Sequence, residues 1–264
     1  MQALTTEQLR SVAPSIFTRS AYHTLSPRYK VASTADVIGL LSGIGLFPVR
    51  AQQSRCRLPD KRDYTKHLIR FRRSEDMDAA VRDEIAEVCL TNSFDGSSAY
   101  RLYLGIYRVT CTNGLVCPIG DLGGFSVRHS GEDFEKRIID ATFSVVSEAP
   151  KALETAKAWK QIALPPPVQT AYAEAAHTLI ENPHIEPAQL LTPRRREDTP
   201  DDNGNRSLWQ TFNTVEEAIL KGGVTGKTPK GRRTTTRPVK SVDRDLKLNR
   251  ALWTLAEKMA ELAG

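Results

Sequence analysis

Ten lysines and arginines occupy the stretch from Lys221 to Arg250, KGGVTGKTPKGRRTTTRPVKSVDRDLKLNR, opposed only by Asp243 and Asp245. The stretch carries +8 in a chain whose total is +6, so everything outside it sums to −2. A basic block in an otherwise balanced chain is the electrostatic footprint of a polyanion site, with the nucleic-acid backbone first among polyanions. Lys227, Lys230, Arg232, Arg233, Arg237 and Lys240 are its candidate phosphate ligands, and Thr234, Thr235 and Thr236 set neutral hydroxyl donors between them. The plainer alternative is a solvated charged loop with no partner. The run GGVTGKT imitates a nucleotide phosphate loop but is one residue short. Three residues separate Gly222 from the Gly226-Lys227 pair where four are required, and no apolar strand precedes it. Nucleotide hydrolysis there is not expected.

A second basic cluster runs from Arg50 to Arg73 and includes Arg55, Arg57, Lys61 and Arg62. At its end Lys66, Arg70 and Arg72 share one face of a period-two pattern with Leu68, while His67, Ile69 and Phe71 share the other. A one-sided basic strand suits a groove that tracks a phosphate backbone. Equally, these cations can pair with Glu75, Asp76, Asp78, Asp83, Glu84 and Glu87 just downstream. Tyr100, Tyr103 and Tyr107 lie beside Arg101 and Arg108, and rings interleaved with arginines can stack on unpaired bases without reading sequence. Packing at a sheet edge is the ordinary alternative. Arg128 and His129 stand at a helix entrance, a position suited to capping or to a phosphate.

Catalytic chemistry finds little footing. A metal or nuclease centre drawn from His67, Asp95, His129 and Asp133 has no supporting spacing, and Cys111 and Ser93 lack an identifiable base partner. No catalytic residue, metal or cofactor is expected. The four cysteines, Cys56, Cys89, Cys111 and Cys117, form no CxxC pair and read as reduced thiols. The N-terminus, MQALTTEQLRSVAPSIF, lacks the basic start and apolar core of a secretory signal, and no apolar run approaches the roughly 20 residues of a membrane span. A cytoplasmic protein without a membrane partner is the expectation.

The elements that must hold these residues are mixed in the first half of the chain. Ser33-Thr34-Ala35-Asp36 is a helix-capping signal before Val37, Ile38, Leu40 and Leu41, with Gly43 and Gly45 ending the helix. Strands are predicted over 64–72, 85–90 and 100–109, the last by alternation and tyrosine content. Asn92 to Gly96 is dense in turn formers, and Asn113-Gly114 is the strongest hairpin signal, with Leu115-Val116-Cys117 returning. The second half reads as helical. Ser130 to Asp133 caps a helix with Phe134, Ile138, Ile139, Phe143 and Val146 on its inner face, continuing through Ala152, Ala156 and Trp159 with a kink at Pro150. Further helices are predicted over 171–180, 207–220 and 242–262, the last built on Leu246, Leu248, Leu252, Trp253, Leu255 and Met259. The expected fold class is α+β: a mixed helix and antiparallel-sheet N-terminal half with a helical C-terminal half. The expected domains are a core over 1–181, an exposed linker or long loop over 182–206, and a helical segment over 207–264 with a flexible basic loop at 221–240.

The run LTNSFDGSSAYRLYLGIYRVTCTNGLV, followed by VRHSGEDFEKRI, resembles the core of the "domain of unknown function 932" family of phage- and plasmid-related proteins. The matching elements are Asn92-Ser93, Asp95-Gly96-Ser97-Ser98, Arg108, Cys111-Thr112-Asn113-Gly114-Leu115 and Arg128-His129. This chain has Phe94 where members usually carry His, and Thr112 where they carry Ser, and the first departure removes a histidine from that turn. FNTVEEAILKGG, TTTRPVK and LNRALWTLAEKM resemble the end of the same family, so the likeness covers most of the chain. It implies a mobile-element setting and DNA metabolism, and no established activity. In topology alone the order of elements is similar to phage single-strand annealing recombinases, which lay one DNA strand in a basic groove.

The expected function is that of a phage or plasmid DNA-binding protein that holds single-stranded DNA non-specifically, in recombination, replication or protection of DNA. Its partner is DNA, with homo-oligomers allowed. Two alternatives stand beside it: an interaction protein that antagonises a host defence or restriction system, and a metal-dependent nuclease.

Overall fold

The computed structural model describes residues 2–26, 29, 31–78, 84–108, 115–117, 125–127 and 133–263. The protein is α+β, and its contacts divide it into two units: Met1–Pro150 with Lys240–Val242, and Lys151–Val239 with Asp243–Gly264.

The first unit opens with α1 (Thr6–Val12), held at its start by a capping box between Thr5 and Gln8. After a 3-10 turn over Pro14–Phe17 comes α2 (Thr34–Gly43), whose N-cap is Ser33; its hydroxyl accepts from the Asp36 amide at 3.3 Å. Gly45, at φ +83°, turns the chain out of the helix where a side chain would be strained. Six strands then form one antiparallel sheet: β1 (Leu46–Gln53), β2 (His67–Arg73), β3 (Glu84–Asn92), β4 (Tyr100–Arg108), β5 (Leu115–Cys117) and β6 (Phe125–Val127). Their order is β1-β2-β3-β4-β5, with β6 also paired to β4. Asn113-Gly114 lies outside the described residues, as do Asp83, Cys111, Arg128 and His129. The strands on either side of Asn113-Gly114 do pair, with Leu104 opposite Cys117.

Helix α3 (Phe134–Ser147) packs on the sheet face that carries Tyr100, with the Tyr100 and Phe134 rings 5.2 Å apart. Its buried stripe is Ile138, Ala141, Thr142 and Val145. The predicted inner face included Phe143, which is 57% exposed. At 100° per residue Phe143 sits well off the line through Phe134, Ile138 and Val145. The chain breaks at Glu148 and resumes as α4 (Ala149–Trp159), with Pro150 in the first turn, where its missing N–H leaves no bond unmade.

In the second unit β7 (Ala163–Leu164) pairs with β8 (Arg206–Ser207). Helix α5 (Pro166–Thr178) starts at the prolines that the sequence reading treated as punctuation before it, since Pro is well placed in a first helical turn. Helix α6 (Leu208–Lys221), capped by Ser207 and Gln210, is buried along nearly its whole length. Its Trp209 and Phe212, stacked at 5.7 Å, meet Trp159 and Trp253, whose rings are tilted against each other with centroids 4.4 Å apart. Two short strands, β9 (Thr225–Lys227) and β10 (Arg233–Thr235), form a hairpin. Helix α7 (Val242–Ala263) closes the chain with Leu246, Leu248, Leu252 and Trp253 buried; Leu255 and Met259 are half-buried.

The stretch 182–206, expected as an exposed linker or long loop, is irregular backbone that is packed in part. It holds two 3-10 turns, Pro187–Leu191 and Arg196–Asp198, and buries Ile185, Leu190, Asp198 and Arg206. The Arg206 guanidinium donates to the carbonyls of Asp198 at 2.9 Å and Leu191 at 3.0 Å and to Gln169 Oε1 at 2.6 Å, which ties the segment to α5. Its Pro, Asp, Asn and Gly content marks irregular backbone, and irregular backbone can still be packed.

Candidate functional site

The basic stretch after α6 is built as a supported hairpin. In β9 and β10 Lys227 faces Arg233, Gly226 faces Thr234 and Thr225 faces Thr235. The turn between them is closed by Thr228 N to Arg232 O at 2.9 Å and Gly231 N to Thr228 O at 2.8 Å, with Gly231 at φ +74°. One side of the hairpin lies against the 182–191 segment. Lys227 N donates to His184 O at 2.8 Å and Gln189 Nε2 to Thr225 O at 2.6 Å. Gly226 lies so close to His184 that a Cβ there would stand 1.8 Å from the carbonyl oxygen. At the base, Gly223 N donates to Thr236 O at 2.8 Å, Val239 N to Leu220 O at 2.8 Å, and the Arg194 guanidinium to Gly222 O. The sequence reading expects a flexible loop here. The structure has an ordered ribbon, because the His184 carbonyl accepts from it and the Gln189 and Arg194 side chains donate to it.

Register puts Lys227 and Arg233 on the same side of the ribbon, opposite the side that carries Gly226. Lys227, Lys230, Arg232, Arg233 and Arg237 are all exposed, and none forms an ion pair among the described residues. Lys240 is exposed as well and falls with the first unit. Cations nearer the body behave differently: Arg195 and Lys221 both pair with Glu217, at 3.0 and 2.8 Å. Burial pushes the Glu217 carboxyl up, but these two partners outweigh it and hold it below its ordinary value.

The second basic cluster divides. Arg70 and Arg72 are buried and share Glu87: Arg70 Nε lies 2.6 Å from Oε2, and Arg72 Nε and Nη2 lie 2.8 and 2.6 Å from Oε1. The Arg70 guanidinium also covers the Tyr107 ring at 3.1 Å, and Tyr107 OH lies 2.9 Å from Cys89 Sγ. Tyr100, Tyr103, Tyr107 and Arg108 are buried too. As placed, Arg70, Arg72 and Arg108 offer no guanidinium to a surface groove, and the tyrosines offer no open ring face to a base. The pairing of strand arginines with downstream acids is what the structure contains. Lys66 is half-buried, and the exposed cations of this cluster are Arg50 on β1 and Arg55, Arg57 and Arg62 on the loop before β2. Spacing did not single them out, because alternation drew attention to the strand.

The turn between β3 and β4 gathers the run from Asn92 to Ser98 into one hydrogen-bonded cluster. Ser93 Oγ accepts from Ser98 N at 2.9 Å and from Ser97 Oγ at 3.1 Å, and Tyr29 OH donates to Ser93 O at 3.1 Å. Burial, with Asp95 nearby, pushes the Tyr29 phenol up to about 12. Asp95 accepts from Ser97 N at 3.0 Å and pairs with Lys61 at 3.0 Å. Burial alone would push the Asp95 carboxyl up; hydrogen bonds from Ser97, Lys61 and Ser93 outweigh that and hold it below its ordinary value. His67 is fully buried between Ser15 Oγ (2.8 Å) and Thr34 Oγ1 (3.0 Å), where no solute reaches it. Asp133 is the N-cap residue of α3. Among the described residues no group of three or more His, Cys, Asp or Glu side chains is placed to hold a metal ion, and no described helix is long and apolar enough to cross a membrane.

An antiparallel sheet with a helix packed on one face, an Asp-Gly-Ser-Ser turn between two of its strands and a second unit carrying a basic ribbon make this an α+β protein. The family model "Domain of unknown function (DUF932)" matches residues 21–253, and the chain belongs to that family. It is 38% identical over 259 residues, 97% of this chain and 91% of the relative, to the UPF0380 protein YfjQ of Escherichia coli (strain K12). It is 37% identical over the same shares to the UPF0380 protein YafZ of the same organism. No solved structure matches.

Proposed function

We propose that the protein binds single-stranded DNA non-specifically through its phosphates, in recombination, replication or protection of mobile-element DNA, with the β9–β10 ribbon as the contact. One observation supports this above the others: Lys227, Lys230, Arg232, Arg233 and Arg237 are held out from an ordered ribbon with no ion pair among the described residues. Unpaired surface cations on a fixed scaffold bind a phosphate chain at low ordering cost, and threonine hydroxyls beside them add neutral donors. Base stacking by Tyr103 and Tyr107 forms no part of the reading, since both are buried.

Salt dependence tests it. With about five phosphates neutralised, the log–log slope of affinity against salt for a single strand is about −3.5. The triple substitution Arg232→Ala, Arg233→Ala, Arg237→Ala lowers the steepness by about 2 and weakens binding to every sequence alike. Unchanged affinity and slope would remove the ribbon from the function.

A further inference from the structure

The loop between β1 and β2 presents a different surface. Its base is closed by Ser54 N to Lys66 O at 2.7 Å, Thr65 Oγ1 to Ser54 O at 3.1 Å, and Gln53 Nε2 to Arg62 O at 2.6 Å. A 3-10 turn over Pro59–Tyr64 forms its far side, pinned by Tyr22 OH to Asp60 Oδ2 at 2.8 Å and by the Lys61–Asp95 pair at 3.0 Å. Those two contacts occupy one of the loop's carboxylates and one of its lysines. Arg55, Arg57 and Arg62 remain, all exposed and without an ion pair among the described residues. Between Arg57 and Pro59, at the tip, Leu58 is 55% exposed.

We propose that this tip is a second nucleic-acid contact, in which Arg55, Arg57 and Arg62 bind phosphates and Leu58 packs on the face of an unstacked base. The inference rests on the reading that the protein binds nucleic acid, and it supplies what that reading lacks, a reason to prefer unpaired strands. Phosphate contacts alone do not distinguish single strands from duplex. An apolar side chain held rigidly among cations does, because a base face is open in a single strand and in a duplex is reached only by unstacking. The tip has the parts: a leucine whose backbone the following proline restricts, arginines on both sides, and a hydrogen-bonded stem at the foot of the loop.

The test uses the full chain and oligonucleotides, single-stranded and duplex, with 2-aminopurine as the fluorescent base. Leu58→Ser is expected to keep the salt slope, to lose most of the 2-aminopurine response and to reduce the single-strand preference about five-fold or more. Arg55→Ala, Arg57→Ala, Arg62→Ala together lower the steepness of the slope by about 2. All four side chains are exposed, so an unchanged melting temperature shows that the variants fold. Wild-type binding that survives both sets of substitutions unchanged overturns this inference and leaves the ribbon reading standing. Equal weakening of single strand and duplex by Leu58→Ser overturns the stacking role. Absence of salt-dependent binding by the wild type overturns both readings.

Discussion

Arg72 Nη2 lies 2.6 Å from Glu87 Oε1 on the neighbouring strand, with the two side chains 1% and 0% exposed. Arg70 reaches the other carboxylate oxygen at 2.6 Å. One buried anion thus answers two buried cations, and its removal leaves both without a counter-charge. Glu87→Ala is expected to destabilise the protein by about 3–5 kcal/mol in urea denaturation, the range for breaking a buried pair from one side. Glu75→Ala, which removes an exposed partner of Arg73, should cost about 1 kcal/mol or less. Similar small effects from both would show that the Glu87 cluster is open to water.

Gly226 is the point where the ribbon meets the body of its unit. Alanine there would place a carbon 1.8 Å from His184 O, a backbone atom that cannot swing aside, so the hairpin must lift. Gly226→Ala should destabilise by about 1–3 kcal/mol, the scale of an overpacked site, and expose the bonds after Lys227, Lys230, Arg232 and Arg233 to trypsin. In the wild type those bonds should be protected further by a single-stranded oligonucleotide. Equal cutting of the two proteins would mean that the ribbon is not anchored at His184.

Along α3 the buried stripe makes a simple contrast. Ile138 is fully buried and Phe143 is 57% exposed. Ile138→Ala should cost about 2–5 kcal/mol, whereas Phe143→Ser should stay within about 0.5 kcal/mol of the wild type. The reverse order in thermal melts would restore the inner face that the sequence pattern predicts.

Asp95 and Glu217 both have carboxyls held below their ordinary values by hydrogen bonds and cations. A depressed folded value means the charged form is favoured by folding. The stabilisation is therefore complete above the ordinary carboxylate range and is lost as pH falls through the depressed value. Asp95→Asn and Glu217→Gln should each be less stable than the wild type at neutral pH and should converge with it towards about pH 2. Urea midpoints across that span check this, and a constant gap at all pH values would show that the charges do not carry the effect.

Tyr107→Phe separates packing from binding. The hydroxyl lies 2.9 Å from Cys89 Sγ in a buried cluster, and losing it should cost about 0.5–1.5 kcal/mol of stability. Affinity for single-stranded DNA should not change. A loss of affinity at unchanged stability would return the tyrosine to the binding surface.

Local rules were legible without tertiary structure. Ser33 caps the helix that follows it, the helix expected over 207–220 runs Leu208–Lys221, the strands beginning at His67, Glu84 and Tyr100 fall within three residues of their expected starts, and the basic block and family likeness are plain in the residues. Each of these depends on neighbours within a few positions, by hydrogen bonds to adjacent amides or by alternation along one strand. What surrounds a face does not depend on such neighbours. Period two places Arg70 and Arg72 together but cannot say that Glu87, on the next strand, takes both. Likewise, the Gly and Thr content of 222–236 allows a free loop, and only the approach of His184 and Gln189 from some forty residues away makes it a ribbon. Capping signals and alternation were enough for the helix after Ser33, for the strands β2, β3 and β4, and for the placement of charge. The tertiary structure decided which charges are consumed inside the protein and which remain for a partner, because burial and ion pairing are set by contacts between segments distant in the chain.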